Sequence, residues 1–270
     1  MCRVLEVSVS GYHSWRRRPI SNQQQQDALL KQRIHDVYHH RKARYGAPRI
    51  HAELKAEGLS VSKKRIARLM RIGGLRAKGK HRSVRTTNRN HSDPVCPNLL
   101  DRQFNVQQPN QIWAADLTYI PTKEGWLYLA VTLDLFSRTV VGYAMDAYMP
   151  ATLPVAALHM AVQRRNPPPG LLHHSDQGSQ YTSHLFQSAL AQIQAKCSMS
   201  RKGECWDNAV VESFFSSLKR ELFEETIFET RAVARQAIFE FIEVFYNRQR
   251  RHSSLGYLTP ADFERQSTAA

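Results

Sequence analysis

A chain of 270 residues with 42% hydrophobic content can bury one sizeable core and a smaller second one, and no apolar run approaches the ~20 residues that a membrane-spanning helix needs. The formal net charge of +15 is lopsided: residues 1–100 hold 22 Lys and Arg against 6 Asp and Glu, while residues 101–270 hold 16 against 17, so a basic arm that suits a polyanion precedes a near-neutral body. Four scattered cysteines without a C-x-x-C spacing argue against a zinc knuckle or a disulfide framework, and the start, MCRVLEVSVSGYHSW, lacks a secretory signal, which places the protein in the cytoplasm.

The arm reads as short helices. Ser8 or Ser10 caps a turn running to Trp15, which Arg16-Arg17-Arg18-Pro19 ends. Gln23–Gln26 open a second helix in which Leu30, Ile34 and Val37 follow helical spacing to His40. Pro48 stands at a helix N1 position before Ile50 and Leu54, and that helix ends near Gly58. Ser62 caps a further helix with Ile66, Leu69 and Met70 inside, stopped by Gly73-Gly74. The last two helices make a helix-turn-helix pattern, and the second displays Lys63, Lys64, Arg65, Arg68 and Arg71 outward. Such charges suit phosphates along double-stranded DNA, which fix register and carry little sequence information. We assign 1–76 to this small all-α domain, 77–102 to a basic linker and 103–267 to the body, with a helical tail over 230–267.

In the body, Gln111–Thr122, Trp126–Leu135 and Arg138–Asp146 read as strands in a meander, with a tight turn at Lys123-Glu124-Gly125. Ala151–Arg165 is a helix, Leu171–Ser175 a short buried strand, Ser183–Ala195 a helix and Lys196–Ser200 a fifth strand. Asp207–Leu222 is a helix with Val211, Phe215, Leu218 and Leu222 on an apolar stripe, and Glu212, Ser216 and Lys219 on a polar stripe beside it. This order is that of an α/β, ribonuclease-H-like mixed five-stranded sheet flanked by helices. In the tail, Ala234, Ala237, Phe241 and Val244 or Phe245 keep helical spacing, and Arg248, Arg250 and Arg251 either contact target DNA or tie the tail down.

Asp116 and Asp176 each sit in an apolar run, and 35 residues separate Asp176 from Glu212. Carboxylates on strand, strand and helix are hard oxygen donors of the kind that hold Mg2+ for phosphoryl transfer. Asp134 reads as a structural acceptor of turn amides and Asp207 as the N-cap of the Glu212 helix. His39-His40 and His173-His174 read as surface or DNA-facing groups, Trp113 as a packing residue, and Trp206 as packing or flanking the site. Gly178 reads as a turn residue with φ > 0 beside the metal.

The blocks WAADLTYI, HHSDQGSQY and GECWDNAVVESFFSSLKREL resemble those of retroviral-integrase-type catalytic domains. With YGAPRI and YNRQRRHSSLGYLTPADF they resemble, more narrowly, insertion-sequence transposases whose catalytic half is read from a second, frameshifted frame. The resemblance implies that Asp116, Asp176 and Glu212 are the catalytic metal ligands, that Lys219 meets the terminal DNA phosphate, and that two Mg2+ or Mn2+ ions serve cleavage and strand joining. It also implies a homo-oligomer on DNA and a partner product from the upstream frame with a helix-turn-helix and leucine zipper. A nuclease of the same fold that does not join strands, and an inactive DNA-binding regulator, are the competing readings.

Overall fold

In the computed structural model, which describes residues 2–79, 94–201, 204–223 and 227–268, three serines set helix starts in the basic arm. Ser8 accepts the Gly11 N–H and starts α1 (Val9–Arg17), which buries none of its residues. Ser21 and Gln24 form a reciprocal capping box at the head of α2 (Asn22–His40), and Ser62 accepts the Arg65 N–H to start α4 (Lys63–Ile72). Between them α3 (Ala47–Ala56) begins after Gly46, with Pro48 in its first turn. Leu30, Ile34 and Val37 of α2, Ile50 and Leu54 of α3, and Ile66, Leu69 and Met70 of α4 are buried together with Tyr45. The arm is thus a unit with a core of its own, Met1–Lys78, and the body is a second unit, Gly79–Ala270. Most of the basic linker, residues 80–93, lies outside the described residues. Residues 94–102 pack on the body: Leu100 is buried, and Ser198 Oγ accepts the N–H groups of Leu99 and Leu100 at 2.9 and 3.2 Å.

The body is built on a five-stranded sheet of order β3-β2-β1-β4-β5. A hairpin joins β1 (Ile112–Thr122) to β2 (Gly125–Asp134), and β3 (Val140–Asp146) continues the antiparallel meander. Gly125 at φ +103 makes the hairpin turn. On the other side of β1, β4 (Leu172–Ser175) and β5 (Lys196–Met199) run parallel. The connecting helices are α5 (Thr152–Arg165), the short α6 (Ser179–Thr182), which the sequence pattern did not reveal, and α7 (His184–Gln192). They cover a core of Trp113, Val141, Leu158, Tyr181, Phe186 and Met199. Gly142 lets α5 lie close to β3, since a Cβ there would stand 2.1 Å from the Ala157 carbonyl oxygen. Among the described residues no helix is long and apolar enough to cross a membrane.

Three readings of single residues are corrected by this packing. His173 and His174 are buried, because the short parallel strand β4 is covered on both faces. Burial pushes the two imidazoles down to about 3 and about 4, which keeps both neutral at physiological pH. Cys96 and Cys197 form a disulfide with a Cα–Cα distance of 6.0 Å, where no disulfide was expected, because residues 94–102 return alongside β5. Asp207 is not a helix cap, as described below.

The helix that carries Glu212, α8 (Ala209–Leu222), buries Val211, Phe214, Phe215, Leu218 and Glu221, so its apolar stripe passes through Phe214 while Leu222 stays half-buried. After it come α9 (Arg231–Phe239) and a π-helical segment, Glu240–Tyr246. The wider turn changes the phase of the tail: Ile238, Phe241, Ile242, Phe245 and Tyr246 are buried and Val244 is exposed. Asn247 then pairs with Val140 through both its amide groups, and Glu264 of the terminal α10 (Pro260–Thr268) accepts from Ser137 and Arg165. The sequence left two roles open for Arg250, and the structure decides between them. The residue is 3% exposed and donates to Glu221, Ser217 and the His252 ring, tying the tail to α8.

Removing one partner of a buried ion pair strands the other charge, at a cost of about 3–5 kcal/mol. Arg250→Leu should lower the unfolding free energy of the body by about that amount in urea denaturation, whereas Arg248→Leu, at an exposed position, should leave it unchanged.

Candidate active site

Past Ala114 the strand β1 has no further pairing with β4, and Asp116 lies on this stretch. The Asn208 side-chain amide donates to the Ala115 carbonyl at 3.1 Å and so latches the start of α8 to β1. Glu212 follows in the first turn of α8 and is exposed. Asp176 is the first residue after β4. Its carboxylate folds back to accept the Gly178 N–H at 3.0 Å, while Asp116 accepts the Leu117 N–H at 2.7 Å. Gly178 matters here for its closeness to Asp176, not for the positive φ expected of it. Its φ is −66, an ordinary value, but a Cβ would stand 3.0 Å from Asp176 Oδ1.

The electrostatics bring the three carboxylates together. Burial, and then the charge of Asp176, hold the Asp116 carboxyl well above the usual carboxylate range; Glu212 acts in the same sense, and the Leu117 N–H and Lys219 oppose it. Lys219 is half-buried, with its Nζ 5.1 Å from the centre of the Tyr119 ring, and burial pulls its ammonium down from the ordinary value. Among the described residues no group of three or more His, Cys, Asp or Glu is arranged to hold a metal ion.

Asp207, one turn before Glu212, is 0% exposed. It takes hydrogen bonds from Asn98, from Arg102 Nε at 2.7 Å, and from the backbone and guanidinium of Arg201. Arg201 and then Arg102 hold its carboxyl well below the usual range. Asp207 therefore does not cap α8; Asn208 occupies the N-cap position, without a side-chain cap bond. Asp134 does what the sequence indicated, accepting the Asn110 and Phe136 N–H groups at 2.8 Å each, and burial raises its carboxyl to about 6. Tyr181 gave no sequence signal beyond its place in the HHSDQGSQY block. Its phenol is fully buried, has no hydrogen-bond partner among the described residues, and is pushed well above its usual value by burial and by the charges of Asp116 and Asp176. Trp113 lies in the core and Trp206 is exposed.

In the arm, Lys63, Lys64 and Arg71 are exposed as expected. Arg65 and Arg68 are not simply outward-facing: both bind Asp27 of α2, at 2.7 and 2.5 Å, and this pins α4 to α2.

Three family matches cover most of the chain: an HTH-like domain over residues 24–83, an integrase core domain over 106–205, and a second integrase core domain over 193–260. The insertion element IS600 31 kDa protein of Shigella sonnei is 46% identical over 263 residues, covering 97% of each chain. The transposase for insertion sequence element IS904 of Lactococcus lactis is 47% identical, covering 93% of this chain and 99% of its own. Transposase InsF for insertion sequence IS3A of Escherichia coli is 45% identical, covering 100% and 94%. Among solved structures, a chain of the simian T-cell lymphotropic virus intasome in complex with PP2A regulatory subunit B56 gamma shares the fold. Its TM-score is 0.50 at 18% identity, with 79% of this chain and 69% of that one covered.

The Asp207 clamp carries a pH signature. A carboxyl held below its unfolded value of about 3.9 contributes stability that is complete above that value and is lost as pH falls through the lower folded value. Asp207→Asn should lower the melting temperature at pH 7, and the gap from the unaltered protein should close as pH is taken below about 4 in a series of thermal melts.

Proposed function

We propose a division of labour among named residues on one premise: the chain belongs to the insertion-sequence transposases, with an integrase core in its body and an HTH-like domain in its arm. It is a polynucleotidyl transferase acting on DNA. In our reading Asp116, Asp176 and Glu212 are the catalytic ligands of two divalent cations, Mg2+ or Mn2+. The observation that carries this is the crowding at Asp116, where the charges of Asp176 at the end of β4 and Glu212 in the first turn of α8 add to burial against its ionised form, with the Leu117 N–H and Lys219 in opposition. All three are hard oxygen donors, so they fit such a cation, and a positive charge among them relieves the repulsion. When bound, the cations supply activation of a water or a 3′-hydroxyl and stabilisation of the departing 3′ oxygen.

The remaining steps belong to the chain itself. Asn208 and Asp207 hold α8 so that Glu212 faces the strand that carries Asp116. Lys219, seven residues beyond Glu212 on the same stripe, meets the terminal phosphate of the DNA end. Lys63, Lys64 and Arg71 of α4 bind phosphates of double-stranded DNA, while Arg65 and Arg68 serve mainly to hold α4 on α2. The reading includes a homo-oligomer assembled on DNA and the upstream-frame helix-turn-helix and leucine-zipper product, both resting on the family resemblance.

Asp116→Asn, Asp176→Asn and Glu212→Gln should each abolish cleavage and strand joining of a labelled transposon end with either cation while DNA binding persists. Full activity in Glu212→Gln would remove it from the site, and a shortened product without joined product in the unaltered protein would make the enzyme a nuclease.

For the arm, replacing Lys63, Lys64 and Arg71 together by Ala should weaken duplex binding and flatten the log–log salt dependence by about three units, with the melting temperature kept. Arg65→Ala should instead lower the melting temperature of the arm.

A further inference from the structure

Beside the carboxylates stands a surface that the chemistry above does not use. Tyr119 lies three residues beyond Asp116 on β1, about 10 Å farther along the strand. Its partner across the hairpin is Tyr128, and Trp126 is the diagonal neighbour, opposite Pro121. The Tyr119 and Trp126 rings meet edge to face with centroids 4.7 Å apart. Trp126 is nonetheless 48% exposed, an unusual state for so large an apolar ring on an ordered strand.

The backbone beneath that ring is held firmly. Arg231 Nε donates to the Trp126 carbonyl at 3.0 Å, and the Arg231 N–H donates to Glu124 at 2.8 Å. Gly125, at φ +103, has Arg231 Nη2 3.0 Å from where a Cβ would stand, so the turn and the arginine fix each other. A ring exposed on a rigid support loses little entropy when a ligand stacks on it. Lys219 connects this surface to the carboxylates: its Nζ lies over the Tyr119 ring, and its charge acts on Asp116.

We propose that Tyr119 and Trp126 form a stacking platform for an unpaired nucleobase of the DNA end whose adjoining phosphate Lys219 holds. Aromatic faces next to a cation are the chemistry that takes single-stranded bases without regard to sequence, each base through its π-face. Side chains three apart on a strand leave opposite faces, so it is Lys219 that links the two: a DNA strand held by its ammonium has the Tyr119 ring beside it. The platform binds a frayed end rather than a flush one, because a base still paired in the duplex has no free face to offer. This inference rests on the carboxylate site as the place where the DNA end lies, but its test does not depend on turnover.

The test uses the full chain in metal-free buffer with two duplexes of one sequence. One is blunt; the other has a two-nucleotide 3′ overhang carrying 2-aminopurine. The arm contacts duplex in both, so it cancels from the comparison. The unaltered protein should bind the overhang probe about tenfold more tightly and quench its fluorescence. Trp126→Leu, which keeps apolar bulk without a stacking face, should lose that preference and the quench with blunt-duplex affinity and melting temperature unchanged, and Trp126→Phe should keep most of both. Equal binding of the two probes by the unaltered protein, or a preference that survives in Trp126→Leu, overturns the proposal. Strand-joining results for the carboxylate variants stand apart, so failure of the metal site and failure of the platform are read in different assays.

Discussion

β4 pairs with β1 only from Ile112 to Ala114, and the rest of the site depends on that short pairing. A longer β4 would cover the edge of β1 and leave no backbone carbonyl for Asn208 to reach. With the edge open, α8 takes the place that another strand would fill, and it brings Glu212 and Lys219 to the stretch that holds Asp116. The sheet therefore supplies one carboxylate directly, a second where β4 stops, and a third through the helix that substitutes for continued pairing.

Bringing these groups together has an electrostatic cost that the local structure offsets only in part. Asp116 receives one backbone N–H and lies within the influence of one lysine, against burial and two like charges. Close by, Asp207 has the opposite environment: it is fully buried, yet answered by two guanidinium groups and an amide. Asp207 is satisfied by the protein and secures the helix, while at Asp116 burial and two like charges outweigh the help it receives. This contrast separates Asp207, a structural anion, from Asp116, whose charge is held at a cost, and it is on Asp116 that our proposal of a cation site turns.

Much of this was legible in the sequence. Serines before apolar runs marked the starts of α1 and α4, while the Ser21 cap of α2 was not read, and the 3.6-residue spacing in α8 separated the stripe of Glu212 and Lys219 from the core stripe. What escaped depends on residues distant in the chain. Asp207 looked like a cap because, apart from Arg201, its partners Asn98 and Arg102 lie 109 and 105 residues away. Cys96 and Cys197 are 101 residues apart and share no motif. His173 and His174 look like surface residues until both faces of β4 are covered, and the phase of the tail cannot be read by a constant period across a π-helical turn. The exposure of Trp126 was equally hidden, since an aromatic residue at a strand start is normally read as core.

The division into two separately cored units, joined with the late Arg250–Glu221 tie, sets an order of events on the ribosome. The helices of residues 1–78 have all their core partners as soon as that stretch leaves the exit tunnel. Glu221 precedes Arg250 by 29 residues, so α8 is made before the residue that ties it to the tail. At elongation rates of about 5–20 residues per second, the body follows the arm by roughly ten to forty seconds. The arm therefore completes its own core while most of the body is still unmade.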